Sequence, residues 1–171
     1  MALTLIFEIL KYLLPAIVLY FSIRLVVDAY LKNEERKREA NIKSAYNQVV
    51  MPLKLQACER LILLLERISP AQSVNRALEP GMKVYELQRT LIKNVREEYE
   101  HNVAQQLYIS PSCWTLIKSS KEEVIRLVNI SASDTDKDAS AGDMARSLLV
   151  HWSQLDNDPI QLAIGQLKKE I

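Results

Sequence analysis

Apolar residues fill the chain almost without interruption from residue 3 to residue 27, and beyond that point they thin out to helical spacing. A helix over that run extends roughly 37 Å at 1.5 Å per residue, more than the ~30 Å hydrocarbon core of a bilayer, so the pattern predicts a transmembrane helix. Glu8, Lys11 and Arg24 interrupt it and leave residues 12–23 as the strictly uncharged part. Glu8 and Lys11 stand about one turn apart and can pair near the N-terminal interface, while Arg24 can snorkel to the other headgroup layer. A buried core helix is the competing reading, since an uncharged run of that length suits one. A cleavable signal peptide does not fit: residues 1–7 hold no Lys or Arg, and no small-x-small site follows the run.

Within the run, Thr4, Glu8, Lys11, Pro15 and Ser22 recur at steps of three, four and seven and share one stripe of the helix. Polar groups at membrane depth point into a bundle rather than at lipid, so the stripe is expected to contact another membrane helix, from a second copy or a different protein. The alternative leaves Glu8 and Lys11 at the interface and Ser22 bonded to its own backbone.

Residues 28–50 read as a charged helical stalk with pairs such as Glu34 and Arg38, and Pro52 is expected to kink or break it. Residues 53–68 form the most apolar soluble helix, ended by Ser69-Pro70, and residues 71–78 a short one before the turn Glu79-Pro80-Gly81. Residues 83–109 predict the longest soluble helix, with Val84, Leu87, Leu91, Val95, Tyr99, Val103 and Leu107 on its core face. Ser110-Pro111-Ser112 starts the next, whose pattern fades after Ile130 into a small, polar loop over residues 131–140. Helical periodicity resumes over residues 142–155, and Asp158 caps a last helix with Pro159 at its first position. The fold expected is all-α: an anchor at 1–29, a stalk at 30–51 and a helical bundle at 52–171.

Composition agrees, with three glycines and six prolines in 171 residues. The formal net charge of +1 supplies no field for nucleic acid, and none is expected as a partner. Lys32, Arg36, Lys37, Arg38 and Lys43 follow the apolar run and no basic residue precedes it. The positive-inside rule therefore sets the N-terminus outside and the bundle in the cytoplasm, as a single-pass protein of the cell inner membrane.

The chemistry is sparse. Glu98 and His101 form a single Glu-x-x-His, half of what a di-metal helical bundle needs, and His151 has no matching glutamate three residues earlier. Asp134, Asp136 and Asp138 alternate like a calcium loop, but Ala139 and Ala145 occupy the positions where an EF-hand requires glycine and glutamate. Cys58 reads as a small core residue, whereas Cys113 at a helix N-terminus is placed where a thiolate is favoured. Glu59-Arg60 and Glu66-Arg67, seven residues apart, decorate one face of the 53–68 helix. No catalytic, metal or cofactor set and no small-molecule substrate is indicated.

Residues 52–70 (P-L-K-L-Q-A-C-E-R-L-I-L-L-L-E-R-I-S-P) and 97–110 (E-E-Y-E-H-N-V-A-Q-Q-L-Y-I-S) resemble an uncharacterised family of short bacterial single-span membrane proteins with a helical cytoplasmic domain. The resemblance implies an architecture and no activity. The expected function is a membrane-anchored scaffold or accessory subunit without catalysis of its own, with lipid and a protein partner or second copy as its contacts. The alternative is a tethered metal-dependent enzyme using Glu98 and His101.

Overall fold

The computed structural model describes residues 2–136 and 138–171; within the first helix, the side chains of residues 2–10, 12 and 14–16 lie outside the described set. Six α-helices and one 3-10 segment occur among the described residues: α1 (Ala2–Ile68), α2 (Pro70–Ala77), α3 (Val84–Asn102), the 3-10 turns Val103–Tyr108, α4 (Pro111–Asp134), α5 (Ala141–Ser153) and α6 (Pro159–Leu167). The chain divides into two compact units, Met1–Val50 and Met51–Ile171.

Among the described residues no helix is long and apolar enough to cross a membrane. The transmembrane helix expected over residues 3–27 is thus not found there. Part of that run lies outside the described set, and the remainder carries Lys11 and Arg24. The helix also passes through Pro52 without the expected break. Proline's φ is itself helical, and Gln48, whose carbonyl loses its donor four residues back, is exposed, so water can satisfy it. The stalk pair Glu34–Arg38 does not form among the described residues.

In the unit Met51–Ile171 the core is one cluster. Leu61, Leu64, Leu65 and Ile68 of α1 join Leu87 and Leu91 of α3, Ile117 and Val124 of α4, Met144 and Leu148 of α5, and Ile160 and Leu167 of α6. Helix α4 is the central element, packed on α3, α5 and α6, while α2 rests on α3 and α5. Tyr99 of α3 stacks on Trp114 of α4 at 5.3 Å between ring centroids, with the Lys121 ammonium 4.5 Å over the Tyr99 ring.

Two helix ends differ from the periodic pattern. Helix α3 stops at Asn102 rather than 109, and its last side chains fold back onto the preceding turn: the Asn102 side-chain amide donates to the Glu98 carbonyl at 2.9 Å, and His101 Nδ1 bonds the Glu97 carbonyl at 2.7 Å. The chain then tightens to 3-10 geometry, in which the 3.6-residue rows cannot continue, and Val103 and Leu107 are exposed rather than buried. Helix α4, in contrast, runs on to Asp134, through the first four residues of the expected loop. Its hydroxyls fold back onto the preceding turn, Ser133 Oγ to the Asn129 carbonyl and, just past the helix, Thr135 Oγ1 to the Ser131 carbonyl. Ser131 is fully buried and holds the turn against α5.

The starts of α4 and α6 follow the capping chemistry. Ser110 Oγ accepts from the Cys113 amide, and Asp158 Oδ1 accepts from the Ile160 and Gln161 amides. At Pro80-Gly81, Gly81 has φ +81, a left-handed conformation that suits glycine, and Met82 N donates to the Glu79 carbonyl across the turn.

Candidate functional site

A polar cleft of about 510 Å³ lies where the end of α1, helix α2 and the end of α3 meet, lined by Arg67, Arg76, Asn94, Glu97, Glu98, His101 and Asn102. Glu98 sits between two guanidiniums, 3.2 Å from Arg67 and 3.9 Å from Arg76. Arg76 also donates to the Arg67 carbonyl at 2.6 Å, as does Ser73 Oγ at 2.9 Å, so the last turn of α1 is tied down from α2. The bond from His101 Nδ1 to the Glu97 carbonyl leaves Nε2 turned to solvent.

Glu98 and His101 are thus brought onto one face, as their spacing requires, but the carboxylate is already paired with two arginines of other helices. Among the described residues no group of three or more His, Cys, Asp or Glu stands together to hold a metal ion. The arrangement ties three helices together; chemically it offers one free imidazole nitrogen beside a carboxylate paired with Arg67 and Arg76.

A second cluster lies where α1 and the C-terminal segment reach the start of α4. Glu170 accepts from both the amide and the hydroxyl of Ser110 and pairs with Lys54 at 3.2 Å. The Ser110 hydroxyl bond, opposed by desolvation and supported by Lys54, holds the Glu170 carboxyl below the usual carboxylate range. Both thiols, Cys58 and Cys113, are fully buried. Burial, with the Glu170 charge adding to it, pushes Cys113 up to about 11, and burial raises Cys58 as well. The helix N-terminus does not produce the thiolate expected at Cys113, because desolvation and an adjacent carboxylate outweigh the dipole.

A family model described as a family of unknown function (DUF7935) matches residues 4–171. The chain belongs to that family. No curated protein and no solved structure matches it. The DUF7935 match starts at residue 4, so it takes in the apolar N-terminal stretch together with the helical unit.

The remaining site residues of this DUF7935 chain divide unevenly. The side chains of Thr4, Glu8 and Pro15 lie outside the described residues, Lys11 is exposed, and Ser22 Oγ donates to its own helix at the Val18 carbonyl, 2.8 Å away. One polar constellation had escaped the sequence: Ser131 Oγ lies 3.0 Å from His151 Nδ1, and His151 Nε2 lies 3.4 Å from Asp134 Oδ2. The order Ser, His, Asp suggests nucleophilic catalysis, but the Ser131 hydroxyl has no exposure to solvent, so it fastens α4 to α5 and reaches no substrate. Only the placement of Ser131 and Asp134 one turn apart, with His151 on the next helix, signalled it.

Proposed function

We propose that the protein is a membrane-anchored helical scaffold or accessory subunit, held in the inner membrane by its N-terminal helix with the helical unit in the cytoplasm. One observation carries this reading. Every described large apolar side chain from Leu13 to Leu31 is exposed, from 46% at Ile17 to 71% at Leu25. The consecutive residues 17–21 and 25–27 point to all sides of the helix, so this is an apolar collar and no single face of another element covers it. A bilayer would solvate such a collar, and the apolar run that would span it begins at residue 3, among side chains outside the described set. The basic residues Lys32, Arg36, Lys37, Arg38 and Lys43 support a cytoplasmic location for the C-terminal side of the collar.

The scaffold half of the proposal is supported by how the polar groups of the helical unit are engaged. Glu98 is paired with Arg67, Glu170 caps α4, and the thiols are buried and protonated. The stripe Thr4, Glu8, Lys11, Pro15 and Ser22 faces another membrane helix in this reading. Membranes from cells making the full chain should keep it through an alkaline carbonate wash, and protease outside intact cells should leave residues 51–171 uncut. Single cysteines along residues 3–26 should crosslink with a helical period. Release of full-length protein by carbonate would overturn the anchor.

A further inference from the structure

We propose that the polar cleft at the end of α1 extends into a binding site for a small phosphate monoester, held by Arg60, Arg67 and His101. The cleft continues along α1 into a hollow of about 320 Å³, which shares Arg67, Glu98, His101 and Asn102 with it and adds Arg60 and Leu63. A hollow of that size suits a small ligand. Its charge is unbalanced. One carboxylate, Glu98, serves two guanidiniums, Arg67 and Arg76. Among the described residues Arg60 has no carboxylate within 4.0 Å, and Glu97 is engaged by Lys93 at 3.7 Å. Glu59 and Glu66, the sequence neighbours of Arg60 and Arg67, stand about 100° round the helix and line neither hollow. Arg60, Arg67 and Arg76 set against Glu98 therefore leave an excess of positive charge, which a phosphate monoester dianion would balance near neutral pH.

The donors fit a phosphate better than a carboxylate. Arg67 spends Nη1 on Glu98, and the rest of its N–H groups, with all of those of Arg60, bond nothing among the described residues. One guanidinium fork satisfies a carboxylate, whereas the three terminal oxygens of a phosphate take two forks and a further donor. His101 supplies that donor in one state. Its Nδ1 lies 2.7 Å from the Glu97 carbonyl, which can only accept, so Nδ1 carries a proton and the neutral ring presents a lone pair at Nε2. Protonation turns Nε2 into a donor. The charges lining the two hollows around it are Arg60 and Arg67 of α1, Arg76 of α2, and Glu97 and Glu98 of α3. A bound dianion adds to the two carboxylates and favours the imidazolium. Leu63, 56% exposed at the edge of the hollow, offers an apolar surface to the organic part of the ester.

The site does not depend on the membrane reading, and the two fail separately. The test titrates the full chain in detergent with phenyl phosphate by calorimetry, and one saturable site per chain is expected. Arg60→Gln breaks no ion pair of the chain, so it should weaken binding about ten-fold while leaving the thermal midpoint unchanged. Sulfate, whose charge is constant between about pH 5.5 and 8, isolates the histidine: its affinity should fall as pH rises through the imidazole range, and the dependence should vanish in His101→Gln. Glycerol 3-phosphate and a short-chain phosphatidic acid below its micelle concentration carry the same head group. Equal affinity for both makes the ligand a soluble ester, and a several-fold preference for the second makes it a lipid head. Absence of saturable binding, binding indifferent to Arg60→Gln, or a pH dependence that survives in His101→Gln overturns the proposal.

Discussion

Glu170 shows how one side chain near the end of the chain stabilises a helix start far from it in sequence. Its carboxylate accepts from the Ser110 amide and hydroxyl and pairs with Lys54, placing negative charge at the positive end of α4. Its folded pKa is depressed, first by the Ser110 hydroxyl bond and then by Lys54. A depressed carboxylate contributes stability that is fully present above its unfolded value, about 4.3, and is lost as pH falls through the lower folded value. Glu170→Gln should therefore cost about 1 kcal/mol near neutral pH, the size of a lost cap. The difference from wild type should shrink toward zero as denaturation curves are taken below about pH 4. A cost that persists undiminished in acid would mean that Glu170 acts by packing alone. The same carboxylate explains Cys113: a charge that caps the helix also opposes a thiolate one turn in.

At the scale of the element, α4 carries the clearest case of a tertiary partner overriding local pattern. Residues 131–134 are small and polar, with the composition of a loop, yet they are helical because Ser131 docks on His151 and the hydroxyls of Ser133 and Thr135 return to carbonyls four residues back. Ser131→Ala should remove the bond to His151 and destabilise the unit by about 1 kcal/mol. It should also raise amide exchange selectively over the last turn of α4; uniform protection would show that the turn holds without the serine. Where the pattern alone decided an element, it was readable. The stripe Val84, Leu87, Leu91 and Val95 is the buried face of α3, and Asp158-Pro159 opens α6. What was not readable depended on side chains folding back. Asn102 and His101 end α3 early, a water-exposed Pro52 leaves α1 continuous, and Arg67 and Arg76 claim Glu98 from helices that no spacing rule connects to it.

For the whole molecule, the distribution of buried side chains separates a part that folds through its own core from a part whose described side chains form none. Among the described residues, every buried apolar side chain lies between Ala57 and Leu167. The unit Met51–Ile171, about 120 residues, is large enough to sustain one core. In the unit Met1–Val50 the described residues all belong to α1, and their described side chains are exposed, apart from partial cover at Glu34 and Val50. Removing residues 1–50 therefore takes away no described core contact and all of the apolar collar. The fragment 51–171 should be soluble without detergent, monomeric, and cooperative in thermal unfolding, with a midpoint within a few degrees of the full chain in detergent. The full chain should partition with membranes. If the fragment aggregates or lacks a cooperative transition, the helical unit needs the N-terminal helix to fold, and that helix would be a structural component rather than an anchor.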